Sequence, residues 1–172
     1  MNGIEVLRNQ INASHEIVEG TVDDLTPGQC DAPAAGKAHP IGATYAHLLT
    51  AEDFIINMLL RGQQPLMMGE WAGKTGASEP PPGPGGDTYA WATSVKVDLN
   101  QAREYAKAVY KATDEYLGTL SPEDLAEEVE IPGFGKNPRA YYVGLGALIH
   151  PANHVGEISA LKGALGAKGY PF

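Results

Sequence analysis

Apolar residues in this chain recur in steps of three, four and seven over four long stretches, and no stretch reads convincingly as a strand. A period near 3.6 residues is that of a helix with one buried face. In the first stretch the stripe is Ile4, Leu7, Ile11, Val18, Val22 and Leu25, so a helix over 4–25 is predicted, stopping near Thr26-Pro27-Gly28. The second stripe, Thr44, His47/Leu48, Ala51, Phe54/Ile55 and Met58, predicts a helix over 41–61, with Gly62 at its C-terminal cap. The third opens on Asp87 as cap and carries Tyr89, Ala92, Val95, Leu99, Ala102, Ala106, Val109, Thr113, Tyr116 and Leu120, a helix over 88–120 long enough to contain a break. In the fourth, Asn137 caps, Pro138 opens, and Val143, Ala147, His150, His154, Ile158, Leu161 and Leu165 share one side, giving a helix over 138–165. Four such helices bury their stripes by packing together, so the expected fold is an all-α, antiparallel four-helix bundle. The 172 residues suit one domain, 1–172.

The connections fit that frame. Between Gly62 and Asp87 the periodicity gives way to Pro and Gly, including the run Glu79-Pro-Pro-Pro-Gly-Pro-Gly-Gly86, where missing N–H donors and ring clashes exclude helix. This is a long surface crossover, read as an insertion rather than a lid, with Trp71 as its anchor on the body. Ser121-Pro-Glu-Asp124 signals one short helical turn, and Ile131–Lys136 reads as a second loop.

Composition narrows the function. With 12 Lys and Arg against 21 Asp and Glu, the formal charge is -9, and no basic stripe exists to displace counterions from a phosphate backbone. Nucleic acid and anionic membranes are therefore not expected partners. Cys30 is the only cysteine, which excludes an internal disulfide and a cysteine-based zinc site and points to a reducing, cytoplasmic setting. The opening residues have no signal-peptide pattern, and both of the most apolar stretches carry charged or His residues, so no membrane span is expected.

The histidines carry the chemistry. His150 and His154 are four apart and emerge from one helical face about a turn apart. Their stripe neighbours are apolar, so they point inward, and His47 holds an inward position on the second helix. An isolated His-x-x-x-His is a weak signal, since helical histidines usually pair with ordinary core or boundary groups. Three imidazoles inside a bundle are different, because each brings two polar nitrogens that need partners. A divalent metal ion on His47, His150 and His154 supplies one, with zinc or nickel suited to imidazole. Binding to neutral rings predicts affinity falling below about pH 6 to 6.5.

An inward His early in the second helix, followed by His150-Pro-Ala-Asn-His154-Val-Gly-Glu157 in the last, resembles the DinB-like superfamily, which includes bacillithiol S-transferases and mycothiol-dependent maleylpyruvate isomerases. The likeness spans essentially the whole chain in length, helix order and His placement. It implies a three-His metal site with its first ligand at His47 and its last pair at His150 and His154, a small-molecule substrate, a low-molecular-weight thiol as cosubstrate, and a homodimer. Pro151, between the paired histidines, and the long crossover depart from the pattern.

Glu157 is read either as an orienting group or general base, and so a catalytic candidate, or as a solvated helix-face carboxylate. By spacing, Glu52 and Asp53 point away from His47 and read as surface or outer-sphere groups. His15 reads as a boundary residue or a fourth ligand, His39 as local structure before Pro40, and the tyrosines as core or boundary. No paired Glu-x-x-His, His-Glu-x-x-His, Gly-rich phosphate loop or serine arrangement is present. The expected activity is that of a metal-dependent S-transferase, isomerase or hydrolase using a thiol or water, with a noncatalytic metal or small-ligand binding protein as the alternative.

Overall fold

A reciprocal cap starts the first helix: Asn2 accepts from the amide of Glu5, and Glu5 reaches back to the amide of Asn2. The structure, a computed structural model, describes residues 2–83 and 85–172. Helix α1 (Gly3–Val22) buries Ile4, Ile11, Val18 and Val22, and Thr26 caps a separate turn, α2 (Pro27–Cys30), so the apolar stripe runs past the helix end. Helix α3 (Ile41–Asp53) continues into a π-helical segment, Phe54–Leu60, and Gly62 turns the chain with φ 64°, the left-handed value its position demands.

The third stripe is two helices, α4 (Thr88–Ser94) and α5 (Leu99–Gly118). Val95 is extended, and the Asp98 side chain accepts from the amides of Asn100 and Gln101, restarting the helix. The crossover is stitched into this break: Ser78 and Lys96 share a backbone bond, as do Asp98 and Gly76. Gly76 has φ 85°, and a Cβ there would lie 2.5 Å from the Ala102 nitrogen, so only glycine fits. At the other end of the crossover, Asp53 accepts from the amides of Leu66 and Met67, which open a short 3₁₀ turn (Leu66–Met68). Trp71 packs on Tyr105 with ring centres 5.7 Å apart, the anchor expected of it.

Helix α6 (Pro122–Ala126) starts on Ser121 as predicted. The expected loop Ile131–Lys136 is instead part of a hairpin, β1 (Glu128–Ile131) with β2 (Gly135–Pro138), pairing Glu128 with Pro138 and Ile131 with Gly135. Asn137 is consequently a strand residue and no cap: its amide donates to the Tyr142 hydroxyl, and Pro138 occupies the cap position of α7 (Arg139–Gly144). The hairpin exists because Ile131 is buried while Gly133, at φ 84°, closes the turn.

A second π segment, Leu145–Ile149, joins α7 to α8 (His150–Ala164). The His150 amide bonds to the Leu145 carbonyl, one residue further back than in an α-helix. This wider turn makes room for Pro151, which has no N–H and would otherwise crowd the Ala147 carbonyl. Gly146 permits the segment to approach Ile55, where a Cβ would come within 2.9 Å.

Helices α1 and α3 each pack against both α5 and α8, the pairwise pattern a four-helix bundle requires. One buried cluster includes Val18, Tyr45, Leu49, Tyr105 and Ile158, and another Ile11, Ile56, Leu117 and Val143. The fold is all-α, with the hairpin as its only sheet among the described residues. Among the described residues, no helix is long and apolar enough to cross a membrane.

Candidate metal centre

Because α3 packs on α8, His47 meets the pair on the last helix. His47 Nε2 lies 3.2 Å from His150 Nε2, which lies 3.1 Å from His154 Nε2. The rings stand nearly perpendicular to one another, at 74°, 87° and 90°, so their edges rather than their faces meet. One nitrogen from each falls within 4.8 Å of the other two.

Three Nε2 atoms converging in this way cannot all be satisfied by one another. A neutral imidazole carries one N–H and one lone pair, so a proton shared along the chain still leaves lone pairs facing each other. Nitrogens bound at about 2.0–2.1 Å to one ion lie roughly 3.0 to 3.4 Å apart, which matches the two spacings that His150 makes with His47 and His154. The outer partner also fits: His154 Nδ1 is 2.7 Å from Glu157 Oε2, so the carboxylate holds that proton and leaves the Nε2 lone pair for the cluster. His150 Nδ1 is buried with no partner.

Burial pushes the protonation of both His47 and His150 down to about 4, reinforced by the neighbouring histidine charges. These rings stay neutral well below pH 6, so the expected loss of metal affinity below pH 6 to 6.5 moves lower for these two ligands. Between about pH 6.5 and 4 the unfolded chain binds protons at these positions and the folded chain does not, so metal-free stability is complete above about 6.5 and declines toward 4. Thermal unfolding of the metal-free protein across that range should show the midpoint falling with pH, and His150→Ala should flatten the slope; an unchanged slope would contradict the burial of this ring.

A second polar system lies deeper, and the sequence reading misplaced it. Glu52 and Asp53 have no exposed surface, in correction of their reading as surface or outer-sphere groups. Glu52 meets His15 Nε2 at 3.0 Å and accepts from Thr113 at 2.7 Å, while His15 stacks on Tyr110 with ring centres 3.7 Å apart. His15 is therefore bound to Glu52 and is not part of the three-histidine cluster. Asp53 accepts from Tyr105, Asn57 and the two crossover amides. Tyr45 and Tyr110 both donate to Glu19, whose carboxyl is raised by burial. The available signal was the helix itself: α3 has almost no polar face, so acids at its end had to go inside.

The DinB superfamily model matches residues 10–158, and the chain belongs to that superfamily. A conserved protein from Enterococcus faecalis, known from a crystal structure, superposes with a TM-score of 0.77 at 19% identity, covering 95% of this chain and 99% of that one; this likeness concerns the fold alone. No curated protein matches.

Proposed function

We propose that the chain is a metal-dependent enzyme that holds one divalent ion on His47, His150 and His154 and activates a low-molecular-weight thiol or water against a small electrophile. The observation that carries this reading is the convergence of three Nε2 atoms from two helices, a donor set that leaves coordination positions free for substrate. A divalent ion held there would supply a Lewis acid that stabilises the anion of a thiol or water near neutral pH. The thiol rests on family likeness; zinc and nickel rest on the affinity of imidazole for both.

The chain's own residues do the rest. His47 and His150, kept neutral by burial, each keep one lone pair free to bind an ion at working pH. Glu157, half-exposed beside His154, acts as a positioning residue by fixing the ring's tautomer. Glu157→Gln should lower metal affinity by roughly 10- to 100-fold in a chelator competition titration. If Glu157 instead accepts a proton from the nucleophile, affinity stays and turnover falls; if neither changes, Glu157 has no part in the site. The enzyme reading itself is tested by turnover against a panel of thiols and electrophiles: a metal-free chain as fast as the reconstituted one would leave a binding protein in its place.

A further inference from the structure

A crevice of about 630 Å³ lies between the end of the π-helical segment Phe54–Leu60, the crossover and α5, and none of the three histidines lines it. A volume of that order takes a small molecule. Its lining combines apolar Leu66, Trp71 and Ala112 with the cations Arg61 and Lys74. Arg61 is held in place before anything binds. Its Nη1 donates to Asn57 Oδ1 at 2.7 Å, Asn57 Nδ2 donates in turn to buried Asp53 at 2.7 Å, and the guanidinium carbon sits 5.8 Å from the centre of the Tyr116 ring. One edge of the guanidinium is thereby fixed, and its remaining N–H groups have no acceptor among the described residues.

The charge in the crevice sets the kind of ligand. Eight of the 12 Lys and Arg lie within 4 Å of a carboxylate, and among the described residues Lys37, Arg61, Lys74 and Lys168 do not. Two of those four, Arg61 and Lys74, share this one lining. Lys111 lines it as well but has Glu115 at 3.7 Å, so the two offset each other and Glu70 is the one other acid in the lining. Two cations against one carboxylate leave an excess of one positive charge, which suits a singly charged carboxylate rather than a phosphate dianion. A planar guanidinium also presents paired N–H groups to a carboxylate, which an ammonium does not. Beside it Trp71, tilted at 51° against Tyr105, offers an indole on which an aromatic ring packs.

We propose that this crevice is a second binding site, for a small aromatic carboxylate whose charged group is bound by Arg61 and Lys74 and whose ring packs on Trp71. The restraint of Arg61 by Asn57 and Asp53 lowers the ordering cost of binding. Charge and shape divide the work: the cations reject the neutral analogue, and the indole rejects an acid without a ring. The site is independent of the metal-enzyme reading, since no histidine contributes to it.

The test titrates phenylacetate into the metal-free full chain by calorimetry, with phenylacetamide as the neutral control and acetate as the control without a ring. Phenylacetate should bind, and each control at least about tenfold more weakly. Arg61→Gln should weaken phenylacetate at least about tenfold, and Arg61→Lys should restore little of it, because one ammonium cannot replace the fork. Lys74→Gln should weaken it about two- to fivefold. Lys74 is exposed, so this variant keeps the test decisive where loss of the Asn57 bond disturbs the Arg61 variants, as circular dichroism would show. No binding of phenylacetate, equal binding of either control, or an unchanged affinity in a folded Arg61→Gln or in Lys74→Gln overturns the proposal; Arg61 would then only close the helix end onto Asn57. Zinc uptake, which Arg61→Gln should leave unchanged, separates the two sites. A chain that takes up zinc but not phenylacetate loses only this proposal, and one that takes up phenylacetate but not zinc loses only the enzyme.

Discussion

His47→Ala, His150→Ala and His154→Ala are each expected to weaken zinc or nickel binding by more than roughly 100-fold, because removing even an outer partner of a ligand costs about 10- to 100-fold. The helices should survive. His150 Nδ1 is buried with no partner, so removing this ring takes away a polar group that nothing satisfies. Chelator competition gives the affinity and far-ultraviolet circular dichroism the fold. Any one variant that binds as tightly as the unmodified chain would remove that residue from the ligand set.

Asp53→Ala should be the most damaging single change away from that site, costing roughly 3 to 5 kcal/mol. Its carboxylate accepts from the Tyr105 hydroxyl at 2.6 Å, the Asn57 amide at 2.7 Å and the backbone amides of Leu66 and Met67 at 2.9 Å each. Truncation strands the Tyr105 and Asn57 donors in the interior and leaves the two part-buried amides without their acceptor. It also frees the start of the crossover from Asp53, leaving Trp71, Gly76 and Ser78 among its remaining ties to the body. A domain of this size has about 5 to 15 kcal/mol of stability in all, so a large share would go. Urea unfolding measures it; a loss under about 1 kcal/mol would mean that relaxed geometry or water replaces the carboxylate.

The bundle helices were legible because their stripes are long, and the three-histidine cluster because His47, His150 and His154 lie on those stripes. Pairing across helices then needed only that α3 touch α8. Much of the rest was hidden for physical reasons. Spacing put Glu52 and Asp53 opposite His47, but facing away from one ligand means facing solvent only on a helix with a wet side, and α3 has hardly one. Their partners, His15, Thr113 and Tyr105, come from other helices, and no local pattern announces them. The break at Val95–Asp98 is set partly by backbone bonds to Gly76 and Ser78, which are distant in sequence. The hairpin was the readable miss: Val129 and Ile131 alternate ahead of Pro132-Gly133, a turn signal that the neighbouring Gly135 and Pro138 made look like loop. Pro151 promised a kink and produced a π turn, since a neighbouring helix at Gly146 fixes the direction in which the chain can widen.

The central claim is that three imidazoles hold one divalent ion. Elemental analysis of the untagged chain, purified without added metal and then equilibrated with zinc or nickel and desalted, tests it most directly. The account predicts one equivalent per chain, absent when His47, His150 and His154 are replaced together. A chain that retains less than about a tenth of an equivalent, or a triple variant that retains as much as the unmodified protein, would contradict it.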